Sequence, residues 1–170
     1  MERTGLVTFQ GNPLTLLGNP ITAGDKVPDV AVLDNTLQER SLSEWKDKVV
    51  ILISVPSLDT DVCSLEAKRF NDEAKKLDDQ VAILTVSMDL PFAQKRWQEA
   101  EGAGELNIFS DHRDAAFGEA FGVLIKELRL LARAVFVVDQ KGMVTYAQIV
   151  DEVTHEPDYT GALEAARKAL

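Results

Sequence analysis

Residues 49–77 read VVILISVPSLDTDVCSLEAKRFNDEAKKL. The segment 48–55 is apolar at consecutive positions and rich in β-branched side chains. Such a run suits a strand covered on both faces, as in a parallel sheet flanked by helices. From residue 62 the period changes. Cys63, Ala67, Phe70, Ala74 and Leu77 recur at spacings of four, three, four and three, which draws one face of an amphipathic helix over 62–77. The chain's one cysteine therefore stands where a buried strand hands over to a helix.

Outward from this unit, the same two periods recur. Residues 81–87, VAILTVS, read as a second buried strand. Pro91 opens a helix, where a missing N–H does no harm in the first turn, and Gly102 ends it. A short strand at 106–109 and a short helix at 115–120 follow. The segments 134–139 and 144–149 flank Gln140-Lys141-Gly142 and predict an antiparallel hairpin, and a last helix is predicted over 159–170. Before the central unit, 6–17 reads as a hairpin turning around Gly11-Asn12-Pro13, 29–34 as a short strand, and 41–45 as a helical turn capped by Ser41. Two strand–helix alternations followed by an antiparallel pair and a helix predict a thioredoxin-like α/β sandwich with an N-terminal β-hairpin extension, one domain over 1–170.

Composition narrows the function. The chain of 170 residues is 45% hydrophobic and 27% charged, an ordinary globular balance. Its formal charge of -10 would be repelled by a nucleic-acid backbone or an anionic membrane, so neither is an expected partner. No apolar run approaches the roughly 20 residues that span a bilayer, and MERTGLVTFQGNP holds no signal-type apolar core, which predicts a cytoplasmic protein. One cysteine excludes an internal disulfide framework. With only His112 and His155 beside it, no metal site is expected, and no glycine-rich nucleotide motif is present, so no cofactor is expected.

In the first turn of a helix, Cys63 meets free N–H groups and the positive dipole end, which favour a thiolate, the reactive form. Asp59 and Asp61 oppose this, because carboxylates near the sulfur disfavour a second negative charge. A compensating cation is needed. Arg69 is about two turns down the helix, whereas Arg133, at the mouth of the strand 134–139, can reach from an adjacent strand end. The pattern alone leans to a plainer reading: a cysteine on an apolar stripe as a buried core thiol, Arg133 as a solvated charge, and Thr60 as a helix cap.

Pro56, Thr60 and Cys63 form P-x-x-x-T-x-x-C, which resembles the peroxidatic motif of the peroxiredoxins. VPSLDTDVCSLEAKRFN, FQGNPLTLLG, SMDLPFAQKRW, LLARAVFVVD and VDEVTHEPDY resemble more narrowly the bacterial thiol peroxidase subfamily, and these blocks run from near residue 9 to near residue 159. The resemblance implies that Cys63 is a peroxidatic nucleophile and that Thr60 hydrogen-bonds the thiolate and the peroxide. It implies that Arg133 stabilises the thiolate and polarises the O–O bond, and that Pro56 shields the site. It further implies a hydroperoxide substrate, thioredoxin or a small thiol as reductant, and a homodimer. One position departs from the pattern: the subfamily's resolving cysteine is expected where this chain has Gln98. Two rival readings are a non-enzymatic redox sensor and a variant limited to a single turnover. The C-x5-R spacing from Cys63 to Arg69 formally fits a phosphatase, but SLEAK lacks glycine, and the neighbouring aspartates would repel a phosphate.

Overall fold

The computed structural model describes residues 1–77 and 79–170, with the side chain of Ala74 also left undescribed. The chain opens with a hairpin, β1 (Glu2–Phe9) and β2 (Asn12–Leu17). Its turn is Gln10-Gly11, both at positive φ, so Asn12 and Pro13 belong to the second strand and not to the turn. That two-residue geometry matches the twist of the flanking strands, and glycine takes it without steric cost. The predicted strand at 29–34 is reduced to β3 (Ala31–Leu33), which pairs with an unpredicted β4 (Glu39–Ser41). Ser41 caps a 3-10 turn, Leu42–Trp45, accepting from the Ser43 N–H.

The central unit follows. It consists of β5 (Val49–Ser54), buried at every position, and α1 (Asp61–Ala74), capped by Thr60. The predicted helix reached residue 77; instead it closes at Lys75, whose N–H bonds the Asn71 carbonyl. The Ala74 position of the predicted stripe lies outside the described side chains, while Leu77 still packs on the core from beyond the helix end. Next come β6 (Val81–Ser87), α2 (Pro91–Ala100), β7 (Asn107–Ser110) and α3 (Ala116–Ala120). Two short strands were not predicted, β8 (Leu124–Ile125) and β9 (Leu130–Leu131); two residues carry no periodicity to read. The chain closes with β10 (Ala134–Val138), β11 (Val144–Ile149) and α4 (Tyr159–Ala169).

Among the described residues, seven strands form a sheet in the order β11-β10-β5-β6-β7-β3-β4, and β1-β2-β8-β9 form a smaller one. β5, β6 and β7 are parallel, so helical crossovers must join them, and β10–β11 is the predicted antiparallel pair. This is a thioredoxin-like α/β fold. Alternation along β5 splits the core. Val50 and Leu52 join the cluster that holds Phe117, Phe121 and Phe136. Val49, Ile51 and Ile53 face the cluster of α1 and α4, with Cys63, Phe70 and Tyr159. Fully burying a side chain such as Phe70 stabilises the fold by about 1.5–3 kcal/mol.

Candidate active site

The loop from β5 to α1 is held on both sides. Ser54 Oγ donates to the Ala132 carbonyl at 2.7 Å, and the Val55 N–H donates to the Val86 carbonyl at 3.1 Å. The Asp89 carboxylate accepts from Ser57 Oγ at 2.6 Å, from the Leu58 N–H at 2.8 Å and from Ser87 Oγ at 2.7 Å. Pro56 is buried within this loop. Thr60 Oγ1 donates to the Ser57 carbonyl at 3.1 Å and accepts the Cys63 N–H at 3.3 Å, so the helix starts where the loop ends.

Cys63 is fully buried in the third helical position. β10 pairs antiparallel with β5, setting Ala134 opposite Ser54, and this register brings the preceding residue, Arg133, to the end of the sheet where the loop begins. Arg133 is itself 1% exposed, which overturns the plain reading of a solvated charge. Its Nη2 donates to Cys63 Sγ at 3.2 Å. Nε and Nη2 both donate to the Val153 carbonyl, at 3.1 and 2.9 Å, and Nη1 is paired with Glu66 Oε2. A planar guanidinium serves three partners at fixed angles, which an ammonium cannot do. Burial alone would pull Arg133 down, but the Glu66 carboxylate and the Cys63 sulfur hold it above the usual arginine value.

The carbonyl of Val153 is positioned by the N-terminal hairpin. The Val153 N–H donates to the Thr8 carbonyl at 2.9 Å, and the Thr8 N–H to the Asp151 carbonyl at 2.8 Å. Glu152 grips the same hairpin, accepting from the Thr8 hydroxyl and from the N–H groups of Gln10 and Gly11. The Thr8 hydroxyl, above all, holds Glu152 at about 2. The hairpin is thus tied to Arg133 through two residues of the 150–159 block.

The carboxylate that bears on the site is Glu66, not the expected aspartates. Asp59 and Asp61 are exposed, whereas Glu66, one turn beyond Cys63, is fully buried. Its Oε1 has no hydrogen-bond partner among the described residues. Burial, opposed by Arg133 and reinforced by Glu156, pushes Glu66 up to about 7. Arg69 is occupied elsewhere, its guanidinium lying 4.1 Å from the Tyr159 ring centre. Tyr159 donates to Glu156 at 2.9 Å, and burial followed by that bond raises its hydroxyl well above the ordinary tyrosine value.

A carboxyl that is raised on folding stabilises the protein most at low pH. The folded chain then holds a proton that the unfolded chain releases near 4.5, so stability falls as pH rises from about 4.5 to about 7. The loss is about 3 kcal/mol. Glu66→Gln is expected to flatten this window in urea titrations across pH. It is also expected to raise peroxide reactivity several-fold above pH 7, because the ionised Glu66 competes with the sulfur for Arg133. An unchanged pH profile of both quantities contradicts the assignment.

Thr60 is an exposed cap with its hydroxyl turned to Ser57, and among the described residues the hydrogen bond to the sulfur comes from Arg133. Gln98 is buried on α2 and engaged locally. Its Nε2 donates to the carbonyls of Ala103 and Leu106 at 3.1 and 2.9 Å, and its Oε1 accepts from Asn35 at 2.7 Å. Sequence reading missed Glu66, Asp89 and Glu152. Glu66 lies inside the apolar stripe, three residues from Cys63 and four from Phe70, and all three missed residues fall within quoted family-like blocks.

Comparison with known proteins bears on this geometry. The redoxin family model matches residues 22–163. The thiol peroxidase of Bacillus subtilis (strain 168) is 53% identical over 161 residues, covering 95% of this chain and 96% of that protein. That of Staphylococcus aureus (strain MRSA252) is 48% identical over 159 residues, covering 94% and 96%. Among solved structures, a peroxiredoxin-like protein from Aquifex aeolicus superposes with a TM-score of 0.90 at 40% identity, over 99% of both chains. A thiol peroxidase from Chromobacterium violaceum superposes with a TM-score of 0.84 at 19% identity, over 95% of both.

Proposed function

The chain belongs to the redoxin family and is a thiol-dependent peroxidase of the peroxiredoxin type, and from that premise we propose that Cys63 is its peroxidatic nucleophile. The observation that carries the assignment is the 3.2 Å bond from a buried Arg133 to a buried Sγ at a helix start. The thiolate attacks the terminal oxygen of a hydroperoxide. The S–O bond forms as the O–O bond breaks, sulfur is oxidised to a sulfenic acid, and the departing alkoxide or hydroxide takes a proton. Arg133 meets the developing charge with a donor already in place. Thr60 turns its hydroxyl from Ser57 to the incoming peroxide, and Pro56 keeps water from the sulfur.

Hydrogen peroxide and organic hydroperoxides are both proposed substrates. Regeneration uses thioredoxin or a small thiol: one thiol condenses with the sulfenic acid, releasing water, and a second thiol reduces the mixed disulfide. We further propose a cytoplasmic homodimer in which residues 1–170 act as one domain with an antioxidant role. Stopped-flow addition of peroxide with a sulfenic-acid trap, read by intact mass, should show one adduct, at Cys63. An unmodified chain after peroxide consumption refutes the mechanism. The sensor reading rests on the single thiol, and sustained turnover with an external thiol excludes it.

We also propose that Gln98 marks the place of an absent resolving cysteine. Gln98→Cys is expected to convert the oxidised product into a Cys63–residue 98 disulfide, seen as the loss of two hydrogens by non-reducing mass spectrometry. A disulfide needs Cα atoms within about 7 Å, and the variant removes three hydrogen bonds that hold the end of α2, which eases any local unwinding the bond requires. Sulfenic or sulfinic acid persisting in that variant means the position is assigned wrongly.

A further inference from the structure

The face of the sheet opposite Cys63 carries a cavity of about 280 Å³ that the peroxidase reaction does not use. Val50, Leu52 and Leu84 form its floor. Val50 and Leu52 belong to the core cluster on the side away from α1, so the sheet lies between this cavity and the sulfur. The 3-10 turn Leu42–Trp45 and the segment Lys26–Asp29 border the cavity over these strand ends. Leu42 and the half-buried Trp45 make one wall. The other wall is the turn at Gly142, stapled to the Val27 N–H at 2.9 Å.

The rim holds Lys26, Lys46 and Lys48, all exposed. Among the described residues the ion-paired lysines are Lys68, Lys75, Lys76 and Lys126, and the three at the rim form no ion pair. Three unpaired cations around one apolar opening are conspicuous in a chain of net charge -10. Asp29 and Asp139 also reach the rim and keep their charge, each held in place by neutral donors on one carboxylate oxygen. Asp29 accepts from Ser41 and Ser43, and Asp139 accepts from the N–H groups of Lys141 and Met143.

We propose that this cavity binds a single-chain amphiphilic carboxylate, its apolar tail against Val27, Pro28, Trp45 and Val50, with Leu52 and Leu84 beneath, and its head among Lys26, Lys46 and Lys48. The volume is near the ~300 Å³ lower end of small-molecule sites, room for a tail of about eight to ten carbons. Lysine offers mobile point charges, not the fork that grips a phosphate in a fixed geometry, and the two aspartates disfavour a dianion. A monoanion with an apolar tail satisfies both conditions. The proposal is independent of the Cys63 mechanism.

Decanoate below its micellar concentration is the probe, titrated into a Trp97→Phe background so that Trp45 alone reports. A saturable fluorescence change is expected, with amide NMR shifts at Leu42, Leu84 and Gly142. The triple variant Lys26→Gln, Lys46→Gln, Lys48→Gln is expected to bind decanoate about tenfold more weakly while binding 1-decanol as before. Its circular dichroism and peroxidase rate should be unchanged, since no altered residue touches the Cys63 site. No saturable change, shifts confined to other residues, or equal decanoate affinity in the triple variant each overturn the proposal.

Discussion

Cys63→Ser is expected to reduce peroxide consumption to the background rate of buffer. A serine hydroxyl stays protonated at neutral pH and lacks the polarisable lone pairs that attack an O–O bond. No other thiol can substitute, because Cys63 is the chain's one cysteine. The fold should persist, since the hydroxyl still accepts from Arg133 and fits the volume of the thiol. Circular dichroism then separates chemistry from folding. Stopped-flow peroxide loss equal to that of the parent chain refutes the assignment of the nucleophile.

Arg133→Met is expected to slow the reaction with peroxide by about 10²–10³-fold, the cost of removing one donor aimed at developing charge. It is also expected to destabilise the fold. Breaking a buried pair from one side costs about 3–5 kcal/mol, because the other charge is left without compensation. The remaining charge is Glu66, and the pH dependence of the loss identifies it. Arg133 is what pulls Glu66 down against burial, so without it Glu66 rises above its present value of about 7. Stability is then lost over a wider window, beginning near 4.5 and extending past neutrality. Urea titrations at pH 5 and pH 8 should show the larger loss at pH 8. Adding Glu66→Gln to Arg133→Met should recover stability without recovering the rate. Recovery of both, or a loss independent of pH, contradicts the network drawn here.

The elements that local pattern specifies were legible. β6 and β11 coincide with the predicted segments, and the alternation of periods around residues 49–77 marked the strand–helix unit. The ends of elements were less so. The helix after Cys63 stops at Ala74 because its last turn is closed by backbone bonds, which no side-chain period announces. The hairpin turn fell at Gln10-Gly11 because positive φ decides it, and glycine accepts that conformation before Asn-Pro does. Glu66 was passed over since a carboxylate inside an apolar stripe counts against the stripe in any periodicity argument.

By itself the sequence singled out Cys63 as the candidate nucleophile. The sole thiol, the run that buries its strand, the threonine that caps its helix and the blocks shared with thiol peroxidases are all contained in the order of residues. How the groups around the thiol meet it was decided by the tertiary structure. The guanidinium that meets it comes from 70 residues away, and the carboxylate paired with that guanidinium is 67 residues from it. The hairpin residue that anchors Glu152 beside Val153 lies 144 positions away. Such distances close only when β10 pairs with β5 and the hairpin docks on the segment after β11. Whether a charge is then solvated, as at Asp59 and Asp61, or buried and forced upward, as at Glu66, depends on that packing, because the cost of a charge is set by what replaces water around it.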